Sequence, residues 1–175
     1  MVLLQKSGSG AGSEGSWAIS LQDNGTTDDY GYLRFAISSS NSSTGVDPVQ
    51  YITSSLNAFY NDDFWSVMLT RKSASDGSAF TEDSIFASSS FELTVKQYDS
   101  TRQRIVYQSS ESLETGMSSS LAAFTSSGDL YLGGSGTGNH GSQFSGSMME
   151  FRLWSEPLSQ SVFNNHVRAP KAYNG

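Results

Sequence analysis

The sequence predicts an all-β protein, a sandwich of two antiparallel sheets with one short helical turn near the C-terminus. Three observations predict this class. Apolar and polar residues alternate in many short runs, which is the pattern of half-buried strands. Serine- and glycine-rich stretches separate these runs, with 17 glycines in 175 residues. Aromatic residues make up 12% of the chain, in keeping with strand-rich domains, and one stretch near the C-terminus favours a helical turn.

Length and composition limit what the chain can be. Residues 1–175 suffice for a single domain with a sizeable core. The formal net charge is −7 and the ten basic residues are scattered, which excludes a general nucleic-acid binder. Cysteine is absent, so disulfides, thiolate metal sites and cysteine nucleophiles are excluded as well.

Apolar runs in this sequence are short. None approaches the roughly 18 residues that a membrane-spanning helix needs. The apolar part of residues 1–10 is also too short for a signal peptide. We therefore expect a soluble protein with no membrane partner.

The first half of the chain contains five predicted strands, over residues 2–6, 16–23, 30–38, 50–53 and 64–72. Alternation is clearest in the second, third and fifth of them. Their expected buried residues are Trp17, Ile19, Leu21, Leu33, Phe35, Ile37, Trp65, Val67 and Leu69. The fourth follows a proline and is expected at a sheet edge, where a missing backbone donor does no harm.

Strand patterns continue in the second half of the chain. Residues 91–98 and 104–108 are expected to form a hairpin through a turn at 99–103, with Phe91, Leu93 and Val95 on the buried face. Residues 113–124 are ambiguous and fit a loop with one strand. Residues 130–133 (LYLG) are expected as a further short strand.

The last fifth of the chain carries the most distinctive pattern. Gly146 is expected in a turn, residues 148–154 form an alternating strand, and a helical turn follows Pro157. Alternation divides that strand into two faces, one with Phe151 and Leu153 and the other with Glu150, Arg152 and Trp154.

This C-terminal run resembles the closing strand of concanavalin A-like jelly rolls, specifically of the laminin G-like branch. The family pattern is F-x-G, a short run, E-[VF]-R-[IL]-W and then x-x-x-L-S. The matching residues are Phe144, Gly146, Glu150, Phe151, Arg152, Leu153, Trp154, Leu158 and Ser159. Other family strands are resembled by Trp65, Val67, Thr70 and Arg71, and by residues 130–133. The resemblance implies a jelly-roll β-sandwich and says little about a ligand.

The family normally has one or two strands before the equivalent of residues 2–6, and often one after the helical turn. Both are missing from this sequence. We therefore expect the chain to be a piece of a larger polypeptide, or a partner protein chain to supply the missing edges, because an open sheet edge is a template for aggregation.

Catalytic patterns are absent from the sequence. Glycosidases of this fold usually carry E-x-D-x-(x)-E on one strand, whereas Glu92 and Glu150 each stand alone. Gly136-x-Gly138-x-x-Gly141 resembles a dinucleotide fingerprint, but it precedes an expected strand rather than a helix. His140 and His166 do not make a zinc site. We therefore expect no enzymatic activity and no cofactor.

Acidic and aromatic residues cluster at two places just before strands. The first group is Asp28, Asp29, Tyr30 and Tyr32, and the second is Tyr60, Asp62 and Asp63. Exposed rings beside carboxylates suit sugar binding, although each ring also fits plain packing on a sheet surface. The acidic pairs are alternatively calcium ligands, as at the loop rim of laminin G-like domains. Many relatives have an acidic residue where this chain has Met149, which argues against calcium there.

We expect a non-catalytic binding or structural module that recognises a carbohydrate or another surface. The serine-rich, cysteine-free chain and its last residues resemble modules of phage and other virion structural proteins, which implies a location on a virion or an extracellular surface. The alternative is a glycan-active enzyme of the same fold, which needs two carboxylates about 5 to 10 Å apart. A third possibility is an interface module with a broad apolar patch and no small ligand.

Overall fold

The computed structural model describes residues 1–6, 16–26, 29–38, 50–73, 89–115, 129–134 and 142–170. They form strands and one helix. The strands are β1 (Val2–Lys6), β2 (Ser16–Asp23), β3 (Gly31–Ser38), β4 (Gln50–Thr53), β5 (Trp65–Ser73), β6 (Ser89–Asp99), β7 (Arg104–Thr115) and β8 (Leu130–Leu132). The helix, α1, spans Gln160–Arg168.

The described strands form two antiparallel sheets. The larger has five strands in the order β4-β3-β2-β1-β8, and the smaller has three in the order β5-β6-β7. In the larger sheet β2 and β3 pair along their whole length, from Ser16 opposite Ser38 to Asp23 opposite Gly31. The short strands β4 and β8 form its edges, as the sequence predicted for residues 50–53.

One apolar core lies between the two sheets, because each sheet turns its apolar face toward the other. Its buried members are Leu4, Trp17, Ile19, Leu21, Leu33, Phe35, Ile37, Ile52, Phe91, Leu93 and Val95. At its centre the rings of Phe35 and Phe91 meet across the sheets, with centroids 5.2 Å apart. The faces predicted from alternation in β2, β3 and β6 are therefore confirmed.

Helix α1 covers the opposite face of the three-stranded sheet. Phe163 and Val167 form a second apolar cluster with Met68 of β5. The helix begins where the Ser159 hydroxyl accepts a hydrogen bond from the Val162 amide at 3.3 Å, which satisfies one of the unpaired donors of the first turn. Both faces of this sheet are thus covered. Met68 is therefore buried although it lies on the other face of β5 from Val67, which packs against the main core.

Lys96 lies beneath the helix and is completely buried. Its Nζ donates to Gln160 Oε1 at 2.9 Å and to Asn164 Oδ1 at 2.5 Å. Gln160 in turn donates to Glu92 Oε1 at 3.1 Å. Burial lowers the pKa of Lys96, and the nearby Glu92 carboxylate partly opposes that shift. These polar contacts hold α1 in one position on the sheet.

The all-β class, the two antiparallel sheets and the short helix after Pro157 agree with the sequence prediction. The predicted strand over 148–154 is wrong. No strand pairing among the described residues includes 145–159; the chain leaves the sheet after Gln143, which bridges to Val2. Alternation creates two faces, but a strand also needs hydrogen bonds to a neighbour, and none of the described strands supplies them.

Several sequence-based predictions fall outside the described residues. They concern Asp28, His140, the glycine-rich stretch 136–141 and the part of 113–124 that follows β7. Within the described part of the chain, no helix is long and apolar enough to cross a bilayer.

Candidate functional site

The candidate site lies at the end of the sandwich where β5 begins. We call it the rim cluster and define it by the residues Phe59, Asn61, Asp63, Trp65, Gln97 and Tyr107. The loop before β5, the end of β6 and the start of β7 bring these residues together. Trp65 pairs with Gln97, which pairs with Tyr107, so the three side chains point to the same face of the sheet.

An aromatic row forms the floor of the rim cluster. The Trp65 ring lies 4.7 Å from Phe59 and 5.5 Å from Tyr107, centroid to centroid, the latter in an edge-on arrangement. All three rings are half-buried, and Phe59 and Trp65 also pack against the main core. The row is therefore held in place by packing while part of each ring reaches solvent.

Polar side chains line the same rim. Asn61 Oδ1 accepts from the Trp65 indole at 3.4 Å and from the Asp63 amide at 3.1 Å. Asp63 Oδ2 accepts from Gln97 Nε2 at 2.9 Å and from Asn61 Nδ2 at 3.3 Å. Because Asn61 and Asp63 are exposed, their remaining hydrogen-bonding capacity faces solvent beside the rings.

The loop from residue 57 to residue 64 is anchored by β3. Gly31 and Asn57 exchange two backbone hydrogen bonds of 2.9 Å, and the Tyr60 amide donates to the Asp29 carbonyl at 3.3 Å. Asp62 follows with a φ of 61°, a left-handed conformation that Asp tolerates better than most residues. Burial raises the pKa of Tyr60, and the Asp23 carboxylate adds to that rise.

The structure brings some of the site residues predicted from sequence together and separates others from them. Asp29, Tyr60, Asp62 and Asp63 lie along one rim, since the two predicted groups are joined by the bond between Tyr60 and Asp29. Tyr30, which precedes β3, is 44% exposed. Tyr32 lies opposite Gln22 and points, like Arg34, to the outer face of the five-stranded sheet rather than toward the core.

Sequence reasoning missed Gln97 and Tyr107 and treated Trp65 as a core residue. The pairing between β5, β6 and β7 brings them together, and that pairing contains a register shift between Gln97 and Tyr98. The available signal was the short polar and aromatic run at residues 59–63 directly before Trp65.

Calcium was the expected alternative for the acidic pairs. Within the described residues, no group of three or more His, Asp or Glu side chains is arranged to hold a metal ion. Asp63 instead accepts hydrogen bonds from two amide side chains. The arrangement of the rim cluster is therefore one of rings and hydrogen-bonding groups.

Comparisons with protein-family models, with curated proteins and with solved structures find no match to this chain. The jelly-roll and laminin G-like resemblance accordingly stays a prediction, and a functional proposal depends on the site geometry.

Proposed function

We propose that this protein is a non-catalytic carbohydrate-binding module and that the rim cluster is its binding site. One observation carries the proposal: a partly exposed aromatic row lies beside hydrogen-bonded amide and carboxylate side chains. The Asp63 carboxylate accepts from the amides of Asn61 and Gln97. Asn61 in turn accepts from the Trp65 indole. A sugar ring has apolar C–H faces and hydroxyl groups around its edge. The rings match the former, and the polar groups match the latter.

The charge of the site favours neutral glycans. Asp62 and Asp63 are both exposed at the rim, and the whole chain carries a net charge of −7. A sulfated or uronate-rich chain would be repelled by this field, whereas hydroxyl groups donate readily to a carboxylate. We therefore place neutral oligosaccharides first among the ligand classes.

The test is a calorimetric titration of neutral oligosaccharides and one polyanionic glycan into the wild-type protein. Wild type should bind at least one neutral glycan and should not bind the polyanion. Asp63→Ala and Asn61→Ala should each weaken that binding about tenfold, because each removes a hydrogen bond of the kind worth roughly 1.5 kcal/mol. Both residues are exposed, so unfolding of the variants is not expected.

Tyr51→Ala is the matched control for the titration. Tyr51 is an aromatic residue that is 57% exposed, and it lies under the Arg34 guanidinium on the outer face of the five-stranded sheet. Its replacement should leave glycan affinity unchanged. Equal loss in Tyr51→Ala and Asp63→Ala would mean that the rim cluster is not the site, and an absence of binding to every neutral glycan would contradict the proposal.

The alternative function, a glycan-active enzyme, has a separate readout. The same oligosaccharides are incubated with the protein and analysed for shorter products. We expect every oligosaccharide to be recovered intact, whereas cleavage that survives further purification would favour the enzyme. We further propose that the module belongs to a virion or cell-surface protein, as the family resemblance implies.

A further inference from the structure

The closing segment, residues 148–154, lies outside the described strands and is rich in exposed apolar side chains. Five of its seven residues are large and apolar, and all five are exposed. The exposed fractions are 43% for Met148, 49% for Met149, 42% for Phe151, 72% for Leu153 and 45% for Trp154. Contiguous apolar exposure of this kind marks an interaction surface in a folded protein.

Contacts with α1 orient the segment. Arg152 binds Glu150 at 2.6 Å and His166 Nδ1 at 2.5 Å, and it also donates to the Pro170 carbonyl. The Trp154 ring lies 5.4 Å from the His166 ring. Arg152 and Trp154 therefore lie toward the helix. The exposed residues Met149, Phe151 and Leu153 alternate with them along the sequence as an apolar stripe.

The order of residues in the segment is self-complementary. Two antiparallel copies of MMEFRLW centred on Phe151 place Met148 opposite Trp154, Met149 opposite Leu153 and Glu150 opposite Arg152. Every apolar residue then faces an apolar one, and both charged residues face the opposite charge. Aromatic, apolar and opposite-charge pairs are those that stabilise neighbouring antiparallel strands.

We propose that the closing segment is a dimerisation strand that pairs antiparallel with the same segment of a second copy of this chain. The two copies are related by a twofold axis through the Phe151 pair, so each contributes the same surface. Pairing hydrogen-bonds the backbone of a segment that no described strand of its own chain pairs with. It also gathers Met149, Phe151 and Leu153 of both copies on one face of the ribbon.

The charge distribution favours a second copy of this chain as the partner of the closing segment. The chain has a net charge of −7, so two copies repel each other in general. The closing segment contains one Glu and one Arg and is locally neutral, which makes it a place where two copies can approach. In the twofold arrangement Arg152, which binds Glu150 of its own chain, also lies opposite Glu150 of the other copy.

The test is light scattering coupled to size-exclusion chromatography over a range of concentrations. Wild type should shift from monomer to dimer as the concentration rises. Glu150→Lys places a second basic side chain opposite Arg152, and Arg152→Glu places two acidic residues opposite each other, so each variant alone should dissociate about tenfold more readily. An equal mixture of the two variants restores both opposite-charge contacts and should dimerise like wild type.

Two further variants separate a local effect from a general one. Phe151→Lys should abolish the dimer and leave the thermal midpoint nearly unchanged, since the side chain is exposed. Leu56→Lys, at an apolar residue that is 52% exposed elsewhere, should dimerise like wild type. Arg152→Glu also removes the contact of Arg152 with His166 of α1. Phe151→Lys leaves that contact in place and therefore tests the dimer independently of it.

Three results would overturn the proposal. The first is a wild-type chain that stays monomeric up to its highest soluble concentration. The second is a dimer that Phe151→Lys leaves intact. The third is a mixture of Glu150→Lys and Arg152→Glu that dimerises no better than either variant alone, because that result excludes the antiparallel register.

Discussion

Gly31 is the residue at which the sheet and the rim loop meet. A Cβ added there would lie 2.6 Å from the Gln22 carbonyl oxygen and 3.1 Å from Cε2 of Tyr60. The first contact is with backbone of the neighbouring strand, which has little freedom to move. The absence of a side chain at this position therefore lets the loop that carries Tyr60 pack close to β2 and β3.

Gly31→Ala should consequently destabilise the protein by about 1–3 kcal/mol, the usual range for overpacking a closed site. It should also weaken glycan binding, because the loop that carries Tyr60 also carries Asn61 and Asp63 of the rim cluster. The measurement is denaturant unfolding together with glycan titration. Gly134→Ala is the control, since its Cβ would have no neighbour nearer than 4.0 Å. Equal stability of the two variants would contradict this account of Gly31.

Lys96 is a charged residue that the fold buries completely. Its ammonium group is satisfied by two amide oxygens of α1, from Gln160 and Asn164. Burial is the main reason that its pKa is lowered, so the folded state holds its proton less tightly than the unfolded state does. Stability should therefore rise with pH from the lowered pKa up to the ordinary value of 10.5.

Lys96→Met should lower the free energy of unfolding by about 1–3 kcal/mol at pH 7, because two partly buried oxygens lose their donor. The variant also lacks the rise of stability with pH, so its deficit relative to wild type should grow as the pH approaches 10.5. Chemical unfolding across this pH range measures both effects. Lys6→Met, at a half-buried lysine, is the control. A Lys96→Met protein as stable as wild type would show that the contacts with α1 are dispensable.

At the scale of elements, the β6–β7 hairpin positions Gln97 and Tyr107 of the rim cluster. Its turn is held by Asp99, whose Oδ1 accepts from the backbone amides of Thr101 at 2.8 Å and Arg102 at 2.9 Å. These bonds stabilise the ionised carboxylate, and the Arg102 bond is the largest cause of the lowered pKa of Asp99. Gln103 completes the turn with a φ of 52°.

Asp99→Ala should lower the melting temperature at pH 7. A lowered folded-state pKa means that the Asp99 contribution is present above the unfolded pKa of 3.8 and is lost as the pH falls through the folded value. The difference between variant and wild type should therefore shrink at a pH of about 2, below the ordinary Asp pKa. Asp129→Ala, at an exposed aspartate, should show neither effect. A pH-independent difference for Asp99→Ala would contradict the role of the ionised carboxylate.

The same hairpin shows what sequence can and cannot predict. Alternation correctly predicted that Phe91, Leu93 and Val95 face the core, because the period of two residues is local. It did not predict that Gln97 lies opposite Tyr107. Counting back from the turn pair Asp99–Arg104 places Val106 there, and the register shift beside Tyr98 moves the pairing by one residue.

The closing segment shows a second limit. Its central residues, Glu150 to Leu153, alternate like those of β2. However, β2 pairs on both sides and the segment pairs with no described strand. Alternation shows that a segment is suited to a sheet, but a strand forms only when a neighbouring strand hydrogen-bonds to it. The strand predicted over residues 148–154 is therefore wrong although the segment contains alternating residues.

At the scale of the whole molecule, the described residues combine the core between the two sheets with two surfaces of different character. The rim cluster carries rings beside hydrogen-bonding groups, and the closing segment carries an apolar stripe. The all-β class follows from composition and alternation alone. The rim cluster does not, because it forms where a loop, β6 and β7 converge through long-range pairing.

The most direct test of the proposed carbohydrate site uses the indole N–H signals of the protein's three tryptophans. Trp65 belongs to the rim cluster, Trp17 is buried in the core and Trp154 lies in the closing segment. During titration with a neutral oligosaccharide, nitrogen–proton correlation spectra should show a saturable shift of the Trp65 indole signal, while those of Trp17 and Trp154 stay in place. A bound glycan that moves the Trp154 signal and leaves Trp65 unchanged, or a panel in which no glycan moves Trp65, would contradict the assignment of the rim cluster as the carbohydrate site.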